Sequence, residues 1–144
     1  MGGLEDYAPE RARIFRERAG VGFDVIAVKC GVTAGTARGW FAGRLTPSET
    51  NAIKLAEALG VKVADLTNTP PDQPTLRQLR QWRGLRGEDA AQAAGIGMTP
   101  VYTAESYVSP MPDHIRAALA QVYGVSEEAV EAAWQRGRKA KYDS

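Results

Sequence analysis

The sequence predicts an all-α protein made of two tandem small helical domains. Three observations support this prediction: a proline-rich break near the middle of the chain, a repeat of residues across that break, and short apolar segments that end at glycine. The break is TNTPPDQPT, residues 67–75, whose three prolines and small polar neighbours favour an extended linker. We therefore predict a first domain at 1–66, a second at 76–135 and a basic tail at 136–144.

The two blocks are related by a constant offset of 64 residues, with no gap. The identities fall on helix-ending glycines and on core positions, which predicts two copies of one five-helix unit. The identical pairs are Arg13 and Arg77, Arg16 and Arg80, Gly20 and Gly84, Ala27 and Ala91, Gly31 and Gly95, Leu55 and Leu119, Ala56 and Ala120, Gly60 and Gly124, and Val61 and Val125.

The helices of the first block follow from their start and stop signals. Pro9 begins the first helix and Gly20 ends it, while the second helix ends at Gly31. The third helix spans residues 33–42. Ser48 is the N-cap of the fourth helix, and the segment VKVADL forms a last short turn.

Composition and charge argue against several classes of protein. The chain has 144 residues, 44% of them apolar, and a net charge of +1, so any basic surface must come from the arrangement of its charges. The apolar runs are too short for a membrane span, and the N-terminus lacks the features of a signal peptide. A single cysteine, Cys30, and a single histidine, His114, leave little for metal or nucleophilic chemistry. We predict no enzyme, no metal, no cofactor and no small-molecule effector.

Residues 26–40 have the spacing of a helix-turn-helix. Ala27 is small, which lets two helices cross closely, and Gly31 allows a turn with positive φ. Val32 fills the core and Thr33 caps the next helix. The inward positions are Ile26, Cys30, Ala37 and Trp40.

The longer stretch AGVGFDVIAVKCGVTAGTARGWFAGRLTPSETNAIKLAEALGV resembles the lambda-repressor-like (Cro/CI, Xre) family of DNA-binding domains. The resemblance covers residues 9–68 and rests on GVT, on WxxGRxxP and on LAEALGV. It implies that the third helix lies in the major groove of double-stranded DNA, with its N-terminal residues against the base edges. The residues that it places at the DNA are Thr33, Ala34, Gly35, Thr36 and Arg38.

Side-chain chemistry suggests the role of each residue near the DNA. On that face of the helix, Arg38 alone can make a bidentate pair with guanine O6 and N7. Arg44 follows the helix and is expected at a backbone phosphate. Ser48 and Lys54 are expected to make similar contacts.

Two glycines inside the third helix raise a separate question, because each costs about 1 kcal/mol relative to alanine. We expect both Gly35 and Gly39 on the outward face, where a surface without bulk lets the backbone approach the groove floor.

The first block departs from the family at two positions. Many relatives have glutamine where this chain has Phe23, and glutamate where it has Phe41. That glutamate pairs with an arginine of the first helix, which corresponds to Arg16. We expect Arg16 either to stack on Phe41 or to reach a phosphate.

The second block keeps the family's ion pair but is otherwise a degenerate copy. Arg80 and Glu105 occupy the two positions of the pair, so we predict a structural salt bridge. Pro100 is unsuited to a helix interior, so we expect the helix to begin at Thr99 or Pro100, with Thr99 as its cap.

The outward residues of that helix carry hydroxyls and aromatic rings where the first block has an arginine. They either contact DNA or form a dimer interface, for which tyrosine is well suited. They are Thr99, Tyr102, Thr103, Ser106 and Tyr107.

The C-terminal segment EEAVEAAWQRGRKAKYDS is an amphipathic helix that leads into clustered positive charges. These charges either form a solvated tail or neutralise DNA phosphates. They are Arg136, Arg138, Lys139 and Lys141.

Together these observations predict a sequence-specific DNA-binding transcriptional repressor in the bacterial cytoplasm. Because one chain carries two non-identical units, we expect a monomer that binds an asymmetric operator through both domains. The overall build resembles the immunity repressors of temperate actinobacterial phages, which maintain lysogeny. The alternatives are a homodimer on palindromic operators with the second domain as its dimerisation module, and an antitoxin-type regulator whose second domain binds a protein.

Overall fold

The computed structural model describes residues 2–143, which divide into two compact units between Thr69 and Pro70. In these residues the regular structure is helical, and the only other pairing is two isolated β-bridges, Gly3 with Ser48 and Tyr7 with Thr67. The predicted all-α class and the two tandem units are confirmed.

The first unit is built from four short α-helices and a 3₁₀ turn. The helices are α1 Pro9–Ala19, α2 Phe23–Cys30, α3 Ala34–Ala42 and α4 Glu49–Leu59, and the 3₁₀ helix is Val63–Leu66. Each α-helix ends at a glycine in the left-handed conformation, as the sequence indicates.

The core of the first unit surrounds Trp40, which is 2% exposed. Ile26, Leu55 and Leu66 are fully buried as well. The N-terminal segment closes this core, because the hydroxyl of Tyr7 donates to the Trp40 carbonyl at 2.9 Å. Burial raises the pKa of Tyr7 well above its usual range, so the phenol keeps the proton that it donates.

The start of the expected linker belongs to the first unit. Thr69 donates to the carboxylate of Asp6 at 2.6 Å, and the Asn68 side-chain amide donates to Glu10 at 3.1 Å. Thr75, at the other end of the linker, is already the N-cap of the next helix and accepts from the Gln78 amide. The segment between the two units is therefore shorter than the sequence suggested.

The second unit repeats the same helical order. Its helices are α5 Leu76–Gln81, α6 Gly87–Ala94, α7 Met98–Glu105, α8 Asp113–Tyr123 and α9 Glu127–Tyr142. The first residues of α2, α3 and α4 correspond to those of α6, α7 and α8 at the 64-residue offset of the repeat. A continuous buried cluster that includes Leu79, Val101, Leu119, Val130 and Trp134 forms its core.

The start of α7 differs from the prediction. The N-cap is Gly97, with extended φ and ψ of −74° and 167°, so Thr99 and Pro100 lie within the first turn. A proline is tolerated there because the first turn of a helix has no internal partner for its N–H groups. The expectation that Thr99 caps the helix is therefore wrong.

The expected basic tail is part of a packed helix. α9 continues to Tyr142, and Gly137 within it is buried against the ring of Tyr107. Ser144, the last residue of the predicted tail, lies outside the described residues.

Candidate nucleic-acid interface

The turn between α2 and α3 has the local interactions that its residues predict. Gly31 adopts a φ of 69°, which lets the chain reverse directly after α2. Thr33 then caps α3, since its hydroxyl oxygen accepts from the Thr36 amide at 3.1 Å. Ala27 is buried where the helices cross. Cys30 is buried as well, and burial raises the pKa of its thiol, which leaves the group neutral and unreactive.

One face of α3 is open to solvent. Thr33, Gly35 and Arg38 are exposed, and Ala34 and Thr36 are half-buried beside them. Ala37 and Trp40 lie on the opposite face and are buried in the core. Three of the residues predicted at the DNA, Thr33, Gly35 and Arg38, are therefore exposed in the N-terminal half of α3, while Ala34 and Thr36 are only partly accessible.

Gly39 does not belong to that surface, which corrects the prediction. It is buried, and a Cβ placed on it would lie 2.7 Å from Leu45 Cδ1. Gly35 is exposed, and its own Cβ would meet only Thr33 Oγ1, at 3.8 Å. Thus Gly35 keeps the outer surface of α3 flat, whereas Gly39 makes room for Leu45.

Arg38 is held beside an aromatic ring from α2. Its guanidinium carbon lies 5.4 Å from the centre of the Phe23 ring. Arg16 lies closer to the same ring, at 4.2 Å, and the Phe41 ring meets Phe23 edge to face at 5.7 Å. The distances are within the range of cation–π attraction. Sequence reasoning noted Phe23 as a departure but missed this supporting role, because the contact joins different helices.

Arg16 stacks on aromatic rings, which is one of the two roles that the sequence left open. It lies over Phe23 and, at 5.7 Å, over Phe41, and its Nη1 donates to the Val21 carbonyl at 3.1 Å. Its Nε is buried and has no hydrogen-bond partner among the described residues. The side chain is therefore structural.

Three further residues predicted at DNA phosphates follow α3 in the chain. Arg44, Ser48 and Lys54 are all exposed. Ser48 accepts from the Asn51 amide at 3.1 Å to cap α4, and its hydroxyl hydrogen can still be donated to a phosphate oxygen. These side chains add two positive charges and a hydroxyl to the exposed surface of the first unit.

The family model of a helix-turn-helix domain matches the chain twice, at residues 10–68 and again at residues 75–133. These two matches cover most of the sequence. The chain belongs to the helix-turn-helix family, in its Xre/Cro-like class. Searches of the curated proteins and of the solved structures gave no match.

The second helix-turn-helix unit contains the predicted ion pair. Arg80 Nε lies 2.7 Å from Glu105 Oε2, and Arg80 Nη2 lies 2.8 Å from Glu105 Oε1. The side chains are only 1% and 6% exposed. Arg80 Nη1 also donates to the Leu85 carbonyl, just as Arg16 donates to Val21 in the first unit. Each arginine thus makes the equivalent hydrogen bond to a backbone carbonyl. The rest of the guanidinium lies against aromatic rings in Arg16 and against a carboxylate in Arg80.

Tyr107 is not on the surface of the second helix-turn-helix unit, contrary to the prediction. It is 4% exposed, it has a φ of 59°, and it corresponds to Gly43 of the first unit. Its hydroxyl accepts from the Arg77 amide at 3.3 Å, and its ring meets Trp134 edge to face. The left-handed backbone turns the side chain inward against Gly137, so Tyr107 neither reaches DNA nor forms a dimer face.

The other predicted residues of α7 remain at or near the surface. Thr99, Tyr102 and Thr103 are exposed, and Ser106 is half-buried and donates to the Thr103 carbonyl at 2.6 Å. The Tyr102 ring lies over Gly87 at the start of α6.

The basic residues of α9 form hydrogen bonds inside the second helix-turn-helix unit. Arg136 donates to the Pro74 carbonyl at 2.9 Å, and Arg138 donates to the carbonyls of Tyr107 and Val108. Lys141 donates to the Ser106 carbonyl at 3.3 Å, while Lys139 is exposed. Lysine and arginine here satisfy the carbonyls that follow the C-terminus of α7.

The two helix-turn-helix units differ in charge at equivalent positions. Four basic residues of the first unit are replaced by uncharged residues 64 positions later. The pairs are Lys29 and Ala93, Arg38 and Tyr102, Arg44 and Val108, and Lys54 and Ala118.

No helix within residues 2–143 has both the length and the apolar character to cross a membrane. Within the same residues, no group of three or more histidine, cysteine, aspartate or glutamate side chains is arranged to hold a metal ion.

Proposed function

We propose that this protein is a sequence-specific transcriptional repressor that reads double-stranded DNA through α3 of its first unit. The observation that supports this role is the exposed N-terminal half of α3, with Thr33, Gly35 and Arg38 on one surface. In DNA-binding helix-turn-helix proteins this part of the recognition helix contacts base edges. Repression is steric, because a bound chain blocks the polymerase, and the site of action is the bacterial cytoplasm.

Each side chain of the first unit that we place at the DNA has a defined role in this proposal. Arg38 pairs with a guanine, and the Phe23 ring limits the orientations that its guanidinium can adopt. Thr33 and Thr36 donate to phosphate or touch a thymine methyl group. Arg44, Ser48 and Lys54 bind backbone phosphates, which adds affinity but no sequence preference.

We propose an asymmetric operator bound by one chain. The two units differ at four basic positions, so a single chain presents two different surfaces to a duplex; these positions are Lys29, Arg38, Arg44 and Lys54. The second unit would contribute through the hydroxyls of Thr99 and Thr103, through Tyr102 and through Lys139, all of them exposed. A role in phage immunity is the specific setting that we propose, supported by the short chain and its tandem units.

A homodimer on a palindromic operator is the second candidate. The observation that favours it is the apolar surface around α7, where Met98, Tyr102 and Val108 are exposed by 44%, 39% and 66%. Aromatic residues and methionine are enriched in protein interfaces. In this arrangement two first units would contact half-sites about 34 Å apart.

One experiment tests both arrangements. The full chain is used to select binding sites from random duplex DNA, and the selected site is footprinted while the stoichiometry is measured by light scattering. The proposal expects one chain on a site without two-fold symmetry. A palindromic footprint that holds two chains would replace it with the homodimer, and no enrichment of any sequence would exclude specific DNA binding.

A further inference from the structure

A cavity of about 350 Å³ opens in the second unit between α7 and the segment that leads into α8. Its walls are mainly apolar, and Met111 and Ile115 contribute buried side chains. The polar side chains among its lining residues are the hydroxyls of Thr99, Thr103 and Ser109 and the ring of His114. This size and this mixture of many apolar groups with a few polar ones are typical of small-molecule sites.

Comparison with the first unit shows how the lining of the cavity differs. Thr103 and Ser109 correspond to Gly39 and Leu45 of the first unit. There the Leu45 side chain packs directly on Gly39. In the second unit Thr103 has a side chain where Gly39 has none, and Ser109 has a hydroxymethyl group where Leu45 has an isobutyl group, so two hydroxyls replace one aliphatic side chain.

We propose that this cavity binds a small, largely apolar organic molecule that carries one hydrogen-bonding oxygen. The branched aliphatic part of the ligand lies against the buried side chains of Met111 and Ile115. Its oxygen meets the hydroxyls of Thr103 and Ser109, each of which can donate or accept. The site belongs to the second unit alone, and sequence reasoning missed it because the lining residues are spread over two helices and a loop.

The position of the cavity gives binding a measurable consequence. Ser109 follows directly on the Ser106, Tyr107 and Val108 carbonyls that accept hydrogen bonds from α9. A ligand against this segment binds only when the segment is folded, so it stabilises the second unit by mass action.

The test uses the full chain and 3-methylbutan-1-ol, which combines a leucine-like isobutyl group with one hydroxyl. For a probe of this size we expect a dissociation constant on the order of 1 mM. Heteronuclear NMR should show saturable shifts confined to residues 99–115, and the melting temperature should rise with probe concentration. Shifts that grow linearly with concentration, or that spread over both units, would overturn the proposal.

A pair of variants isolates the cavity. Ser109→Leu supplies the side chain that the first unit has, so it should abolish the saturable shifts. Val108→Leu is the matched control, because Val108 is exposed, adjacent and not part of the lining, and it should leave the shifts unchanged. Equal binding by both variants would contradict the proposal.

A measurement on the unmodified chain does not depend on how the variants fold. Nuclear Overhauser contacts from the probe methyl groups to the Met111 and Ile115 methyl groups are expected, and their absence at saturation would refute the site. Since no DNA is present, the result is independent of the proposed repressor function.

Discussion

Leu45 packs on Gly39 so closely that a Cβ on the glycine would lie 2.7 Å from Leu45 Cδ1. The contact explains a glycine that is unfavourable for a helix, because the absence of a side chain at Gly39 is what admits Leu45. Gly35, four residues earlier, has no such neighbour and is exposed. Two glycines in one helix thus serve different purposes, one in packing and one at the proposed DNA surface.

Alanine at each glycine should separate these purposes. Gly35→Ala should raise the free energy of unfolding by about 0.5–1 kcal/mol, since it favours the helix without a clash. It should also weaken DNA binding, because the added methyl group stands on the exposed face. Gly39→Ala should gain less stability, because Leu45 must move. Urea denaturation measures the stability of both variants, and operator titrations measure their DNA affinity. Equal stabilisation by the two would contradict the packing of Leu45 on Gly39.

Arg16 and Arg80 offer a test of how a buried guanidinium is accommodated. Phe41 stands in the first unit where Glu105 pairs with Arg80 in the second. Phe41→Ala should cost about 3–5 kcal/mol, as expected for a buried phenylalanine. Phe41→Glu should cost less, because the new carboxylate can pair with the unpartnered Arg16 Nε. Urea denaturation compares the two variants, and a greater loss with glutamate would show that the units are not interchangeable at this position.

Tyr107 should contribute to stability and not to DNA binding. Tyr107→Phe removes the hydroxyl that accepts from the Arg77 amide, and it should lower the free energy of unfolding by about 1 kcal/mol. Operator affinity should stay unchanged. Tyr102→Phe is the control, because it makes the same change at a tyrosine that is 39% exposed. A loss of DNA affinity in Tyr107→Phe with stability unchanged would restore the surface role that the sequence suggested.

The salt dependence of DNA affinity should distinguish the basic side chains of the two units. Arg44→Ala should reduce the slope of log K against log salt concentration by about 1, evenly across DNA sequences. Arg138→Ala should leave that slope unchanged, because this guanidinium already donates to two carbonyls of its own unit. Binding titrations at several salt concentrations make the comparison, and the opposite result would place the second unit at the phosphates.

The helices of the first unit could be predicted from local signals. Pro9, Thr33 and Ser48 mark helix starts by chemistry that acts within one turn, and the structure has them at those positions. The pairing of Arg80 with Glu105 was also predictable, because the residues stand at two positions of a repeated pattern.

The errors involve features that local start signals and helical periodicity do not show. Gly39 was expected at the surface because its neighbour Leu45 lies beyond the end of α3. Tyr107 was expected outward because periodicity assumes that the helix continues, whereas α7 ends at Glu105 and the backbone then turns left-handed. Arg138 was expected in a tail because its carbonyl partners lie 30 and 31 residues away.

The central claim is that Arg38 on α3 reads a base, and its binding profile tests this most directly. The affinity of the full chain is measured for the selected operator and for every single-base variant of it, with Arg38→Ala and with Tyr102→Ala as the equivalent change in the second unit. Arg38→Ala should lose about 1–3 kcal/mol and lose discrimination at one guanine, with other positions unaffected. Tyr102→Ala should retain discrimination at that guanine. An Arg38→Ala profile identical to that of the unmodified chain would show that α3 of the first unit does not read the operator through this residue.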